Sequence, residues 1–353
     1  MDLELMWRVE ELRRLAATEF MVGEVVLDGA APTFTVIPTA DMRARFLALR
    51  TRAAALGYLP LLRRRGGRTV LAFIPRPPAE PWRWGVNLVL FLATLGTTFL
   101  AGYLQSAGLS EFGFPGSAVG SGLAFSLSLM AILVTHEMGH KVAAVLRGVD
   151  SSLPYFIPML PPIGTMGAVI ITRTPSPNRD ALMDVAAAGP IAGFLAAIPV
   201  LLLGVSRSLV IDPRGFQGIS YPDPLILQWL VQAILHPPEG MVVLGHPILF
   251  AGWIGLLVTS LNLLPAGMLD GGHVVRALFG PRIHTVTSWL AAAIAAYFGY
   301  WLMALLILML IRRGHPGPLD DVSPPSPSRI VVGVLLLAIF VLSAVPLRIA
   351  VLP

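Results

Sequence analysis

The chain has 353 residues, of which 55% are hydrophobic and 13% charged, with a net charge of +5 and a mean hydropathy of +0.75. Soluble domains carry about 25% charged residues, so an ordinary soluble domain and a disordered chain are both excluded and a membrane protein is expected. There is no cysteine, which removes disulfides, thiolate metal sites and cysteine nucleophiles from consideration.

The first 80 residues stand apart: they hold 12 of the 25 basic and 9 of the 20 acidic residues. Residues 2–19 read as an amphipathic helix, with Leu5, Val9, Leu12 and Leu15 at helical spacing. Thr33–Ile37 reads as a strand, and 40–56 as a helix with Met42, Phe46, Leu49 and Ala53 on one face. Tyr58–Leu62 and Thr69–Ile74 read as a hairpin around Gly66 and Gly67. The expectation is a small soluble α+β domain over 1–80, joined by the proline-rich stretch Pro75–Pro81 to a membrane domain over 81–353. The start is expected to belong to this domain and not to be a targeting peptide, because no short apolar core follows a basic start.

Runs without charge mark the membrane segments. They number 27, 25, 22, 30, 29 and 18 residues, and a spanning helix needs about 20. Six spans are expected, near 86–104, 121–146, 185–205, 247–266, 286–311 and 330–349, giving an α-helical polytopic protein in a lipid bilayer. An even number puts both termini on one side. That side collects 20 basic residues against 5, or 8 against 5 without the N-terminal domain, so both termini are expected in the cytoplasm. A prokaryotic plasma membrane is the expected location. Arginine supplies 24 of the 25 basic residues, read as codon usage plus membrane-flanking charge and not as a nucleic-acid surface. Trp82 and Trp84 read as an interfacial belt, Arg173, Arg179 and Arg207 as interface anchors, and Asp320–Ser328 as a flexible link. Glycine and proline make up about 18% of the chain, more than the roughly 12% of average usage.

The second span contains His136-Glu137-Met138-Gly139-His140. Histidines at i and i+4 share one helix face, so two imidazoles can hold one Zn²⁺, and Glu137 beside them can take a proton from water on the metal. Ionisable side chains within a span cost about 2.5–3.5 kcal/mol or more each, which marks a functional site. A catalytic zinc takes a third protein ligand. Asp270 is the candidate, at the end of the 30-residue uncharged run and followed by Gly271 and Gly272. An N-cap role for Asp270 and a ligand role for His273 are the competing assignments. Between the second and third spans, Pro161, Pro162 and Gly164 forbid a helix, and Ala168–Thr172 reads as a strand. An extended segment there, with Gly167, Ala168, Val169 and Ile170, can pair with an unwound substrate by β-addition. The small residues at 186–189 and 192–193, including the Gly-Pro-x-x-Gly run from Gly189 to Gly193, read as close helix packing.

The HEMGH motif in one span, followed by Asn262-x-x-Pro265 and Leu269-Asp270-Gly271-Gly272 in a later one, resembles the site-2 protease family of intramembrane zinc metalloproteases. The resemblance covers about residues 84–311. It implies His136, His140 and Asp270 as zinc ligands, Glu137 as the catalytic carboxylate and a substrate-contacting role for Asn262. It also implies a transmembrane protein as substrate. Ala266, Gly267 and Met268 depart from the usual residues before the Leu-Asp pair without removing a ligand. The alternative is a divalent-metal transporter using the same three side chains, which would leave Glu137 without a task. No oligomeric state follows from the sequence.

Overall fold

An α/β unit forms the N-terminal part of the computed structural model, which describes residues 3–28, 31–78, 81, 83–109, 116–214, 219–345 and 350–351. Helix α1 (Leu3–Ala17) is followed by strands β1 (Val22–Asp28) and β2 (Ala31–Val36), helix α2 (Met42–Ala55), and strands β3 (Tyr58–Arg65) and β4 (Arg68–Pro75). The sheet is antiparallel with order β1-β2-β4-β3. Helical periodicity turns Met42, Phe46, Leu49 and Ala53 of α2 inward as expected. They meet Leu12, Phe34, Leu71 and Phe73 in one core, where Phe34 and Phe73 pack edge to face at 6.0 Å. The β3–β4 hairpin turns at Gly66 and Gly67, both at positive φ. Strand β1, rich in charge and glycine, was not expected.

Among the described residues three helices are long and apolar enough to cross a membrane: α3 (Trp84–Leu109), α4 (Ala118–Leu146) and α5 (Arg179–Ser206). The Ser117 and Asn178 side chains cap α4 and α5, each accepting a backbone N–H, at 3.1 and 2.9 Å. Between them lies the hairpin of β5 (Tyr155–Pro158) and β6 (Thr165–Val169). After α5 come β7 (Leu209–Ile211), β8 (Ile219–Ser220), α6 (Leu225–Ile234) and β9 (Val242–Leu244). The chain then continues through α7 (Pro247–Asn262), α8 (Asp270–Phe279), α9 (Pro281–Tyr297), α10 (Trp301–Arg313), α11 (Pro327–Ser343) and β10 (Ala350–Val351). Trp84 is exposed, whereas Trp82 lies outside the described residues.

The later expected spans differ from the first three. Helices α7 and α11 have 16 and 17 residues, short of the length that a straight crossing takes. The expected span 286–311 is two helices that pack on each other, α9 and α10, broken at Gly299, whose φ is +85°. A turn of that conformation costs a glycine little and any other residue more. Ser326, which precedes α11, bonds to Asp180 at the start of α5, where Arg43 of α2 also binds. Beyond the end of α5, β10 pairs with β8.

Asp320–Ser328 is not a mere link. Residues 314–326 form a strap between α10 and α11. Leu62 on the edge strand β3 donates to the Leu319 carbonyl at 2.9 Å and accepts from Asp321 at 3.2 Å. On the other side, Leu319 and Asp320 donate to the carbonyls of Ser176 and Pro177, at 2.8 and 2.9 Å. The Leu319 side chain is fully buried in the N-terminal core. Asp321 receives a bidentate pair from Arg276, at 2.8 and 2.6 Å, and a further bond from Arg179. Arg179 is thus an internal partner, not a lipid anchor. Asp184 pairs with Arg147 and Arg329. Arg276 is only 4% exposed, so Asp321→Ala leaves a buried guanidinium short of its carboxylate. The expected cost is about 3–5 kcal/mol, read as a lowered midpoint of thermal unfolding in detergent. An unchanged midpoint would show that the strap is not held by this pair.

Candidate metal centre

His136 and His140 stand one turn apart on α4, with Glu137 next to the first. The sequence makes this face unusual by what it places opposite. Helix α5 runs across α4 with Gly193 against His136 and Gly189 against His140. A Cβ on Gly193 would lie 2.8 Å from His136 Nδ1, and one on Gly189 would lie 2.0 Å from His140 Nε2. Gly139 is equally tight, with the Ala188 carbonyl 2.5 Å from where its Cβ would be. The Gly-Pro-x-x-Gly run does pack helices closely, and what it packs against is the pair of imidazoles.

Asp270 reaches the same place from the other side. It is the first residue of α8, not a cap on it; Leu269 occupies the cap position. The turn from 263 to 269 passes through Gly267 at φ +53°. A Cβ on Gly271 would meet the Leu263 carbonyl oxygen at 2.1 Å, and one on Gly272 the Gly267 oxygen at 2.5 Å. The two glycines after Asp270 therefore let the turn fold back onto the helix start. Helix α9 braces it: His284 Nε2 donates to the Gly267 carbonyl at 2.8 Å, and Gly267 N–H donates to Ser288 Oγ at 2.9 Å.

His136, His140 and Asp270 each bring one ligand atom into a group spanning no more than 4.8 Å. The Nε2 atoms of the two histidines are 3.2 Å apart, and Asp270 Oδ2 is 3.5 Å from His136 Nε2 and 3.3 Å from His140 Nε2. Zinc bonds of about 2.0–2.2 Å at tetrahedral angles put ligand atoms about 3.3–3.6 Å apart, so the donor set fits this ion. The tautomer fits as well. His140 Nδ1 donates to the Val185 carbonyl at 2.7 Å, which leaves the Nε2 lone pair facing the group. His136 is 2% exposed and Glu137 6%. Two imidazoles and a carboxylate in such close approach, His136 buried and His140 and Asp270 half-buried, call for a cation among them.

Around the group opens a cavity of about 390 Å³. Glu137 lines it, and its side chain makes no hydrogen bond or salt bridge to another described residue. Ala168, Val169 and Ile170 line it too, together with Asn262. Asn262 Nδ2 is also 3.3 Å from His136 Nε2, closer to the metal group than a purely substrate-contacting role requires. Gly167, at φ +96°, lies in β6 beside the lining residues but not among them. His273 lines the cavity without joining the triad, and so does His315, which the sequence reading left unassigned. Its one sequence signal was a histidine between Gly314 and Gly317, both at positive φ in the structure.

The comparison with known families matches residues 124–306 to peptidase family M50. Among curated proteins, the chain is similar to a probable zinc metalloprotease EGY2, chloroplastic, of Oryza sativa subsp. indica. That match is 33% identical over 237 residues, covering 63% of this chain and 42% of the relative. It is 29% identical over 248 residues to a probable zinc metalloprotease EGY1, chloroplastic, of Arabidopsis thaliana, covering 62% and 44%. A probable EGY2 of the same plant is 29% identical over 302 residues, covering 79% and 52%. The chain thus spans about half the length of the curated relatives it matches. No solved structure matches it.

Proposed function

The chain belongs to peptidase family M50, and from that premise we propose that it is a zinc endopeptidase that hydrolyses peptide bonds within transmembrane segments of a protein substrate. The observation that carries this reading is the His136–His140–Asp270 group on and beside a helix long and apolar enough to cross a membrane. In this reading His136 and His140, through Nε2, and Asp270, through its carboxylate, would hold the ion. Zinc supplies Lewis acidity when bound, which lowers the pKa of water toward ~7 and polarises a carbonyl. Glu137 takes the proton from the attacking water and passes it to the leaving amine.

A helical segment cannot be cut while its backbone bonds are closed. Strand β6 is paired with β5 on one edge only, and Ala168, Val169 and Ile170 line the cavity. This supports capture of an unwound substrate by strand addition there, with Gly167 beside it. We also take α7 and α11 as short membrane segments completing the layer around α3–α5, with the N-terminal unit on the cytoplasmic face. A divalent-metal transporter finds no support in the family match or the relatives.

The test is cleavage of a transmembrane test substrate in proteoliposomes, lost on chelation and restored by zinc. Cleavage insensitive to chelation would remove the metal from the mechanism. Asn262→Ala is expected to lower kcat by about 10²-fold with zinc retained, the loss typical of one oriented donor at a reacting carbonyl. Loss of zinc in that variant would instead make Asn262 a support for His136.

A further inference from the structure

Beside the metal group lies a second pair of imidazoles that the mechanism above does not use. His273 Nδ1 and His315 Nε2 are 2.7 Å apart, with ring centroids 4.7 Å apart at 80°. The backbone decides which nitrogen donates. Gly317 N–H donates to His315 Nδ1 at 2.9 Å, so that nitrogen is an acceptor and the His315 proton sits on Nε2. His315 Nε2–H then donates to His273 Nδ1, and the His273 proton is left on its own Nε2. Burial favours the neutral form of both rings, pushing His273 down to about 4 and His315 down to about 2.

Both rings line the cavity that holds Glu137 and Asp270. His315 is also firmly placed. It opens the strap whose Leu319, four residues on, is bonded on one side to β3 and on the other to Ser176 and Pro177. Leu319 itself is fully buried in the N-terminal core. A residue 42 positions from His273 in sequence is thereby held against it by the N-terminal unit.

We propose that His315 is a positioning residue for His273, holding it in the tautomer whose Nε2–H serves as a hydrogen-bond donor to the substrate peptide in the active-site cavity. The inference rests on the endopeptidase reading above. It adds a donor contributed by α8, distinct from Asn262, and makes the strap part of the reaction machinery. No covalent step is involved: His273 keeps its proton and orients the peptide group that Glu137 and water act on.

The test uses the full chain in detergent and proteoliposomes, with His315→Leu, His315→Gln, His273→Leu and the double leucine variant. Wild type and Glu137→Gln are run alongside. Glutamine keeps a donor for His273 and an acceptor for Gly317, whereas leucine keeps neither. His315→Leu is expected to lower kcat about tenfold with KM within about twofold and one zinc per chain, and His315→Gln to recover most of that loss. His273→Leu should cost at least as much, and the double variant no more than His273→Leu alone. Without any substrate, the ¹⁵N signals of His273 should show protonation at Nε2 in wild type and a tautomer mixture in His315→Leu. Additive losses, failure of glutamine to rescue, loss of zinc in His315→Leu, or a second zinc bound by the wild type would each overturn the proposal. If wild type cleaves no faster than Glu137→Gln, the endopeptidase reading fails and the inference with it. If only the His315 arms fail, the endopeptidase reading stands.

Discussion

A Glu137→Gln protein is expected to bind one zinc ion per chain and to cleave a transmembrane test substrate at least about 10²-fold more slowly than wild type, and up to about 10⁴-fold. Glutamine has the shape of glutamate but cannot accept a proton at neutral pH. Glu137 stands outside the group of three ligand atoms, so the metal has no need of it. Its side chain lines the cavity at 6% exposure and makes no bond that would hold it to a structural task. Removing the charge therefore relieves a buried carboxylate and should not destabilise the fold. Zinc content by elemental analysis and rates of product formation give the two readouts. Wild-type cleavage in this variant would sink the proposed mechanism, and loss of zinc would turn Glu137 into a ligand.

What could be read without the structure follows a physical division. His136, Glu137 and His140 were legible because their spacing is fixed by one helix, whose 3.6-residue turn brings i and i+4 together whatever surrounds it. The α2 face was legible for the same reason, and the hairpin at Gly66-Gly67 because its turn chemistry is local. Asp270 needed the tertiary fold, yet the pair of glycines after it betrayed a tight turn, which the contacts of Gly271 and Gly272 with carbonyl oxygens explain. Hydropathy was blind to the break between α9 and α10, because Gly299 and Tyr300 lie in a run of 29 uncharged residues and a turn needs no charge. The strap was misread for the opposite reason. Its Pro/Ser composition resembles a link, while the bonds that order it come from Leu62, Ser176 and Arg276, all distant in sequence. Asp321, paired with Arg276 and Arg179, and Asp320, fully buried with its carboxylate accepting from the Val322 and Ser323 N–H groups, are the residues whose role composition could not reveal.

Gly189→Ala should abolish high-affinity zinc binding although residue 189 offers no ligand. The added Cβ would sit 2.0 Å from His140 Nε2 and 2.4 Å from Cδ2 and Cε1, well inside contact distance. The imidazole cannot simply step aside. Its Nδ1–H is held by the Val185 carbonyl at 2.7 Å, and rotating away breaks that bond and removes Nε2 from the other two donors. Two donors then remain where three were needed. Loss of an outer support costs about 10–100-fold in metal affinity, and displacing a ligand outright should cost at least the upper figure. Overpacking adds about 1–3 kcal/mol of destabilisation, because α4 and α5 must separate. Gly193→Ala should follow the same course more mildly, since its Cβ would meet His136 Nδ1 at 2.8 Å. Gly96→Ala on α3 is the control: nothing lies within 4 Å of its Cβ, so zinc affinity and stability should not fall. Competition titration with a chelating dye measures the affinities, and thermal unfolding separates ligand displacement from collapse of the fold. Wild-type zinc affinity in Gly189→Ala would mean that His140 is not held as the structure has it, and the case for His140 as a ligand would go with it.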